Sequence, residues 1–163
     1  MSNKTQKAKD VKIKSEPNKK QPFASKLAIL SLLLIALGLL IGYLKTQDPT
    51  LAVNNFDYKL LVAKSITAQE KGLGNRNSLP NNEGMLFVFK APAEECFWMK
   101  EMRFPLDIIW LSSTKKVVYV KTDLQPSTYP ESFCASDLSQ YVIELNAGQV
   151  STSGIKVGQT LVF

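Results

Sequence analysis

The sequence predicts a mainly β domain with one or two short helices, compact and barrel-like or sandwich-like, preceded by a single transmembrane helix. Three observations predict it. Among the 163 residues is one uncharged apolar run, Leu27 to Leu44, long enough to cross a bilayer. The residues after it break into short apolar runs of strand length separated by polar turns. Nowhere do strands alternate with long helical patterns, as a doubly wound sheet would require.

Charge is unevenly placed. The chain has 20 Lys plus Arg against 14 Asp plus Glu, a net +6. Residues 1–26 hold eight lysines and two acids, so they account for the whole excess, and the remainder is balanced at twelve of each sign. The folded part therefore lacks the basic excess that a polyanion partner would need, and no nucleic acid is expected. Residues 1–26, rich in Lys, Ser, Asn and Gln, are too poor in apolar groups to fold alone and read as a basic disordered tail.

As a helix, residues 27–44 rise about 27 Å, close to the roughly 30 Å of a bilayer's hydrocarbon layer. Lys26 and Lys45 flank the run and can reach the headgroups. The charged region ahead of it is longer than that of a signal peptide, and no small-x-small cleavage site follows, so the run reads as an uncleaved anchor whose partner is the lipid bilayer. By the positive-inside rule the tail is cytoplasmic and the rest extracytoplasmic.

Residues 45–55, containing Pro49, read as a linker and residues 56–163 as the folded domain. Tyr58–Ala63 is the first expected strand. Thr67 to Glu70 has capping-box spacing and predicts a short helix that Gly72 or Gly74 would end. Met85–Phe89 is a continuous apolar run and reads as a buried strand. Strands are expected at Phe97–Lys100, Leu106–Leu111 and Val117–Val120, the last two forming a hairpin across Ser112–Lys116. Tyr141–Leu145 and Gly158–Phe163 close the domain, with a helical turn between Ala147 and Ser153.

The chain contains no histidine. That removes Ser-His-Asp and Cys-His catalysis, histidine-ligated zinc and the common proton shuttle near neutral pH. Two cysteines, Cys96 and Cys134, cannot complete a four-cysteine zinc site, and neither a metal nor a cofactor is expected. On the oxidising side of a membrane the two could form a disulfide or remain separate thiols; spacing alone leaves both open. Gly72-x-Gly74 lacks the rest of a dinucleotide loop, and the Ser112-x-x-Lys115 spacing falls in an expected hairpin turn.

The segment from Cys96 to Leu111, CFWMKEMRFPLDIIWL, concentrates the candidate chemistry. Alternation puts Phe97 with Met99 on one face and Trp98 with Lys100 on the other, and it puts Asp107 with Ile109 and Leu111. A carboxylate among apolar neighbours needs a partner, and Lys100, Arg76 or Arg103 could supply it. Trp98 could offer a stacking surface to a ligand held by Lys100 or Arg76.

Lys71-Gly72-Leu73, Arg76 to Pro80, Glu83 to Phe89 (EGMLFVF), Phe97 to Lys100 (FWMK), Pro105 to Ile109 (PLDII) and Gly154 to Gly158 occur in an order that resembles domain-of-unknown-function family 192. The resemblance covers essentially all of residues 56–163. It implies a small, mostly β domain, often carried by exported or membrane-anchored bacterial proteins, with no general activity attached. Candidate site positions carried by the matching segments are Arg76, Glu83, Trp98, Lys100 and Asp107. The chain departs from the family pattern at Gly74-Asn75 and at Glu101-Met102, where the family often has Asn-Thr; if that pair orients a ligand in relatives, this chain would bind something different or nothing.

The functional expectation is a single-pass protein of the bacterial cytoplasmic membrane whose extracytoplasmic domain is a non-catalytic binding or accessory module for an unidentified small molecule or envelope protein. One alternative is a histidine-independent envelope hydrolase or transferase using Asp107 with Glu83 or Lys100. Another is a structural docking module. A reporter fused after Phe163 should be active only outside the cytoplasm; activity inside would reverse the topology.

Overall fold

The computed structural model describes residues 23–45 and 48–163. It divides into two compact units, Met1–Thr46 and Gln47–Phe163. Residues 1–22, most of the expected basic tail, lie outside the described residues. Helix α1, Phe23–Lys45, takes in the whole uncharged run, and the described side chains from Leu27 to Tyr43 are all exposed. Among the described residues no helix is long and apolar enough to cross a membrane. The expected membrane span therefore rests on the sequence of residues 27–44 alone.

In the second unit the described residues form eight strands: β1 Thr50–Val53, β2 Phe56–Ala63, β3 Glu83–Ala93, β4 Cys96–Trp98, β5 Leu106–Leu111, β6 Val117–Leu124, β7 Ser132–Cys134 and β8 Ser139–Asn146. Two short helices, α2 Ile66–Lys71 and α3 Gln149–Ser153, and a 3-10 turn at Pro126–Thr128 complete it. Six strands make one sheet in the order β1-β2-β3-β8-β5-β6, while β4 and β7 pair apart from it. Neighbours are antiparallel except β2 and β3, which run parallel. A parallel pair cannot be joined by a tight turn, so the chain from Ala63 to Glu83 crosses over and carries α2 on the way.

The mainly β expectation holds, but the barrel-like or sandwich-like arrangement does not. The sheet is open, with β1 and β6 at its edges, and what faces it is a two-stranded ribbon, short helices and loops rather than a second large sheet. The physical reason is burial on both faces. All six residues of β5 are buried, as are Val142 to Leu145 of β8. Such strands read as unbroken apolar runs and need cover above and below. One face packs Leu60, Leu86, Ile109, Leu111, Ile143 and Leu145 under Val150, Ile155 and Leu161. The other packs Met85, Phe87, Ile108, Trp110 and Val142 under Leu73, Met99 and Phe133.

Local sequence explains the ends of α2. Ser65, not Thr67, is the N-cap: its side chain accepts from the Ala68 N–H at 3.2 Å, and the helix stops at Gly72, whose φ of +49° lies in the region glycine tolerates best. Thr50–Val53, expected in the linker, forms the edge strand, and β7 was not anticipated. Gly158–Phe163, expected as a strand, makes only single bridges, Lys116 to Thr160 and Ala52 to Val162. These reach one residue near each edge of the sheet. At Gly84 an added Cβ would lie 2.6 Å from Leu145 Cδ2 and 2.9 Å from the Glu144 carbonyl oxygen. The β3–β8 contact there is too close for any side chain.

The Cys96–Cys134 question is resolved by register. The two residues face each other across β4 and β7 and form a disulfide, with Cα atoms 4.2 Å apart. It closes a loop with a sequence separation of 38, for which chain entropy alone gives about 3 to 4 kcal/mol of stabilisation.

Candidate functional site

A cleft of about 190 Å³ opens on the sheet face that the β4–β7 ribbon covers. Its walls come from three stretches. The end of α2 and the turn after it bring Gln69 to Gly74, β3 brings Phe87 and Phe89, and the chain around β4 brings Glu95 to Trp98, followed by Lys100 and Met102. Glu144 of β8 also lines it.

Each wall is fixed by identifiable contacts. The indole Nε1 of Trp110 donates to the Glu95 carbonyl at 2.8 Å and ties the start of β4 to the sheet. The Phe97 ring meets Phe87 and Trp110 edge to face, with centroids 4.8 and 5.8 Å apart. Gln69 Nε2 donates to the Val88 carbonyl at 2.9 Å, holding α2 against β3. Across the rim, the Asn75 N–H donates to the Glu101 carbonyl at 2.9 Å and Asn75 Nδ2 donates to Glu101 Oε2 at 2.6 Å. These two residues belong to the two places where the chain departs from the family pattern, so the departures are partners in space. Met102, beside Glu101, lines the cleft.

Glu144 is the residue that sequence reasoning missed. It is 5% exposed, its Oε2 has no hydrogen-bond partner among the described residues, and burial pushes its carboxyl from the ordinary 4.5 up to about 8. Burial also raises the carboxyl of the half-buried Glu95. The signal for Glu144 was present in the alternation of Tyr141–Leu145: Ile143 and Leu145 pack on one face, and Val142 and Glu144 point to the other. A strand buried on both faces turns that position from a solvated one into an interior one.

Of the residues singled out from sequence, Trp98 and Lys100 come together in the cleft, both exposed at its mouth. Arg76 is exposed and Glu83 half-buried at the start of β3, paired in register with Lys59; neither lines the cleft. Arg103 donates to Asn77 Oδ1 at 2.5 Å and not to Asp107. Asp107 is fully buried on the other sheet face, with Ile109 and Leu111 as alternation required. The partner it needed is backbone and not a cation: Oδ1 accepts the Asp123 N–H and Oδ2 the Val150 N–H, each at 2.9 Å. Both oxygens are thereby engaged, one of them holding the first turn of α3. This carboxylate is a brace between β5, β6 and α3, and the geometry does not join it to Lys100 or Glu83.

Glu94 lies close to Cys96 and Cys134, the described grouping nearest to a metal-ligand set. With the sulfurs bonded to each other it offers a single carboxylate and no thiolate.

An open six-stranded sheet, buried on both faces and carrying a disulfide-pinned ribbon over a cleft with an unpartnered acid, defines the class of domain. Residues 50–163 match the family DUF192, described as Uncharacterized ACR, and the chain belongs to it. No curated protein matches the chain. Among solved structures, a protein of unknown function from Novosphingobium aromaticivorans DSM 12444 is similar at 27% identity and a TM-score of 0.66, covering 71% of this chain and 84% of that one. A proposed transcription regulator from Sinorhizobium meliloti 1021 is similar at 27% identity and a TM-score of 0.64, covering 69% of this chain and 89% of that one.

Two expectations follow. Asp107→Ala leaves two backbone N–H groups without their acceptor and should destabilise the fold by about 2 to 4 kcal/mol in a denaturant titration; an unchanged midpoint would remove the brace. For Glu144 the sign runs opposite to that of a salt-bridged acid. Between about 4.5 and about 8 the folded chain keeps a proton that the unfolded chain has released, so stability falls as pH rises through that window and levels above it. Glu144→Gln should flatten this slope, gaining about 2 to 4 kcal/mol on the wild type at pH 8 relative to pH 5.

Proposed function

We propose that this protein is a membrane-anchored, non-catalytic module that binds a small molecule on the extracytoplasmic side of the bacterial cytoplasmic membrane. The observation that carries the binding reading is Glu144. Burying a carboxyl without a hydrogen-bond partner is costly, and a structure that only needed packing would place an apolar residue there. Set in the wall of a cleft beside Phe87, Phe97 and Trp98, the same acid becomes a ready partner for a ligand.

The location is supported by three features. The uncharged run 27–44 lies between lysines, the lysine-rich residues precede it, and the Cys96–Cys134 disulfide suits an oxidising compartment. A role in transcription regulation, such as the name of the Sinorhizobium meliloti protein carries, would find no basic excess in residues 27–163 for binding a nucleic acid. The catalytic alternative built on Asp107 loses support because both of its oxygens are engaged by backbone.

The test is a thermal-stability screen of the full chain in mild detergent against sugars, short peptides, nucleotides, amines and carboxylic acids, since a ligand that binds only the folded state raises the midpoint. At least one class should do so and lose its effect in Glu144→Gln and Trp98→Ala. A screen with no Glu144-dependent hit overturns the binding reading, and turnover of a hit overturns its non-catalytic part.

A further inference from the structure

The polar groups inside the cleft are unevenly matched. Its interior donors are spent within the protein: Gln69 Nε2 on the Val88 and Ala63 carbonyls, the Gly72 N–H on Ala68, and the Gly74 N–H on Lys71, while the Lys71 and Lys100 ammonium groups stand at the exposed mouth. Its deep acceptors are not. Glu144 Oε2 has no partner among the described residues and is shielded from solvent, and the half-buried Glu95 lines the same cleft. An interior with free acceptors and committed donors selects a ligand that brings donors. Around these acids stand Phe87, Phe89, Phe97 and Trp98, surfaces that favour alkyl chains and attract cations. About 190 Å³ is small against ordinary drug-sized sites and suits a short chain with a compact head.

We propose that the cleft binds a primary alkylammonium group, its head at Glu144 and its alkyl chain against the phenylalanines. This inference rests on the binding reading above and names the ligand chemistry for it. An ammonium carries three donors and a charge, which meet the carboxylate and the aromatic faces together, whereas an alcohol brings one donor and an acid brings the wrong sign. Two sources present this group: a free small amine, and a lysine side chain of a partner polypeptide.

Binding is linked to a proton. The charged groups that line the cleft with Glu144 are Glu70 and Lys71 from α2, Glu95 ahead of β4 and Lys100 after it; the strands on either side present Met85 and Ile108 as its register partners. An alkylammonium stays charged between pH 6 and 8, so it must displace the proton that Glu144 retains there. Apparent affinity should rise about tenfold from pH 6 to pH 7 and level off above about pH 8.

The experiment is calorimetric titration of the full chain in mild detergent with n-butylamine, n-butanol, n-butyrate and a lysine capped as Nα-acetyl-lysine methylamide, at pH 6, 7 and 8.5. Saturable binding by n-butylamine that tightens with pH, releases close to one proton at pH 6 to 7, and disappears in Glu144→Gln supports the proposal. If the Glu144→Gln chain does not fold, proton release by the wild type, read in buffers of different ionisation enthalpy, decides alone. Capped lysine binding as well as n-butylamine assigns the group to a polypeptide partner; n-butylamine alone assigns it to a small molecule. Tighter binding of n-butyrate or n-butanol overturns the amine assignment while the cleft remains a ligand site. Absence of saturation by every probe overturns the amine assignment too, and the binding reading falls with it only when the broader screen also yields no Glu144-dependent ligand.

Discussion

Burial of the central strands on both faces is the constraint from which the rest of the domain follows. β5 and β8 lie side by side with almost no exposed position between them, so each face of the sheet must be covered by chain that is not itself sheet. On one side α3 and residues 155–161 supply that cover, and on the other the β4–β7 ribbon does, with its disulfide and the turn after α2. The ribbon is a narrow lid on a wide face. A cleft remains where it meets α2, and the sheet at that point presents Glu144.

Two buried acids on neighbouring strands show how far environment separates chemically similar residues. Asp107 pairs in register with Leu145, and Glu144 with Ile108, one step along, so the pleat sends the carboxyls to opposite faces. Asp107 meets two backbone N–H groups and becomes part of the frame. Glu144 meets apolar side chains and a cleft, and no described residue takes its Oε2. One is a solved burial problem, the other an open one.

Much of the frame was legible in the sequence. Leu106–Leu111 is a strand over its expected residues, the hairpin to Val117 forms as the polar turn required, and Gly72 ends α2. Short apolar runs report strands well because they carry the burial that makes strands stable. Partnership was not legible. Parallel pairing of β2 with β3, the separate β4–β7 ribbon and the open edges depend on contacts between distant segments, which no local pattern encodes. The site followed the same rule. Trp98 and Lys100 share a face within one segment and were found together; Asp107 was rightly read as buried among Ile109 and Leu111, but its partners, Asp123 and Val150, lie far along the chain. Glu144 was passed over because its meaning depends on the ribbon above it.

The stretch from Gly158 to Phe163 has one more consequence. The Leu161 N–H donates to the Lys115 carbonyl at 3.0 Å, Lys115 Nζ donates to the Phe163 carbonyl at 2.7 Å, and Val162 bridges to Ala52 of β1. An open sheet offers two rows of unused backbone groups, each a template on which another chain could add a strand. Here one short segment occupies part of both rows at once. The same few residues that fail to make a strand of their own thus close those positions of both edges to a further strand.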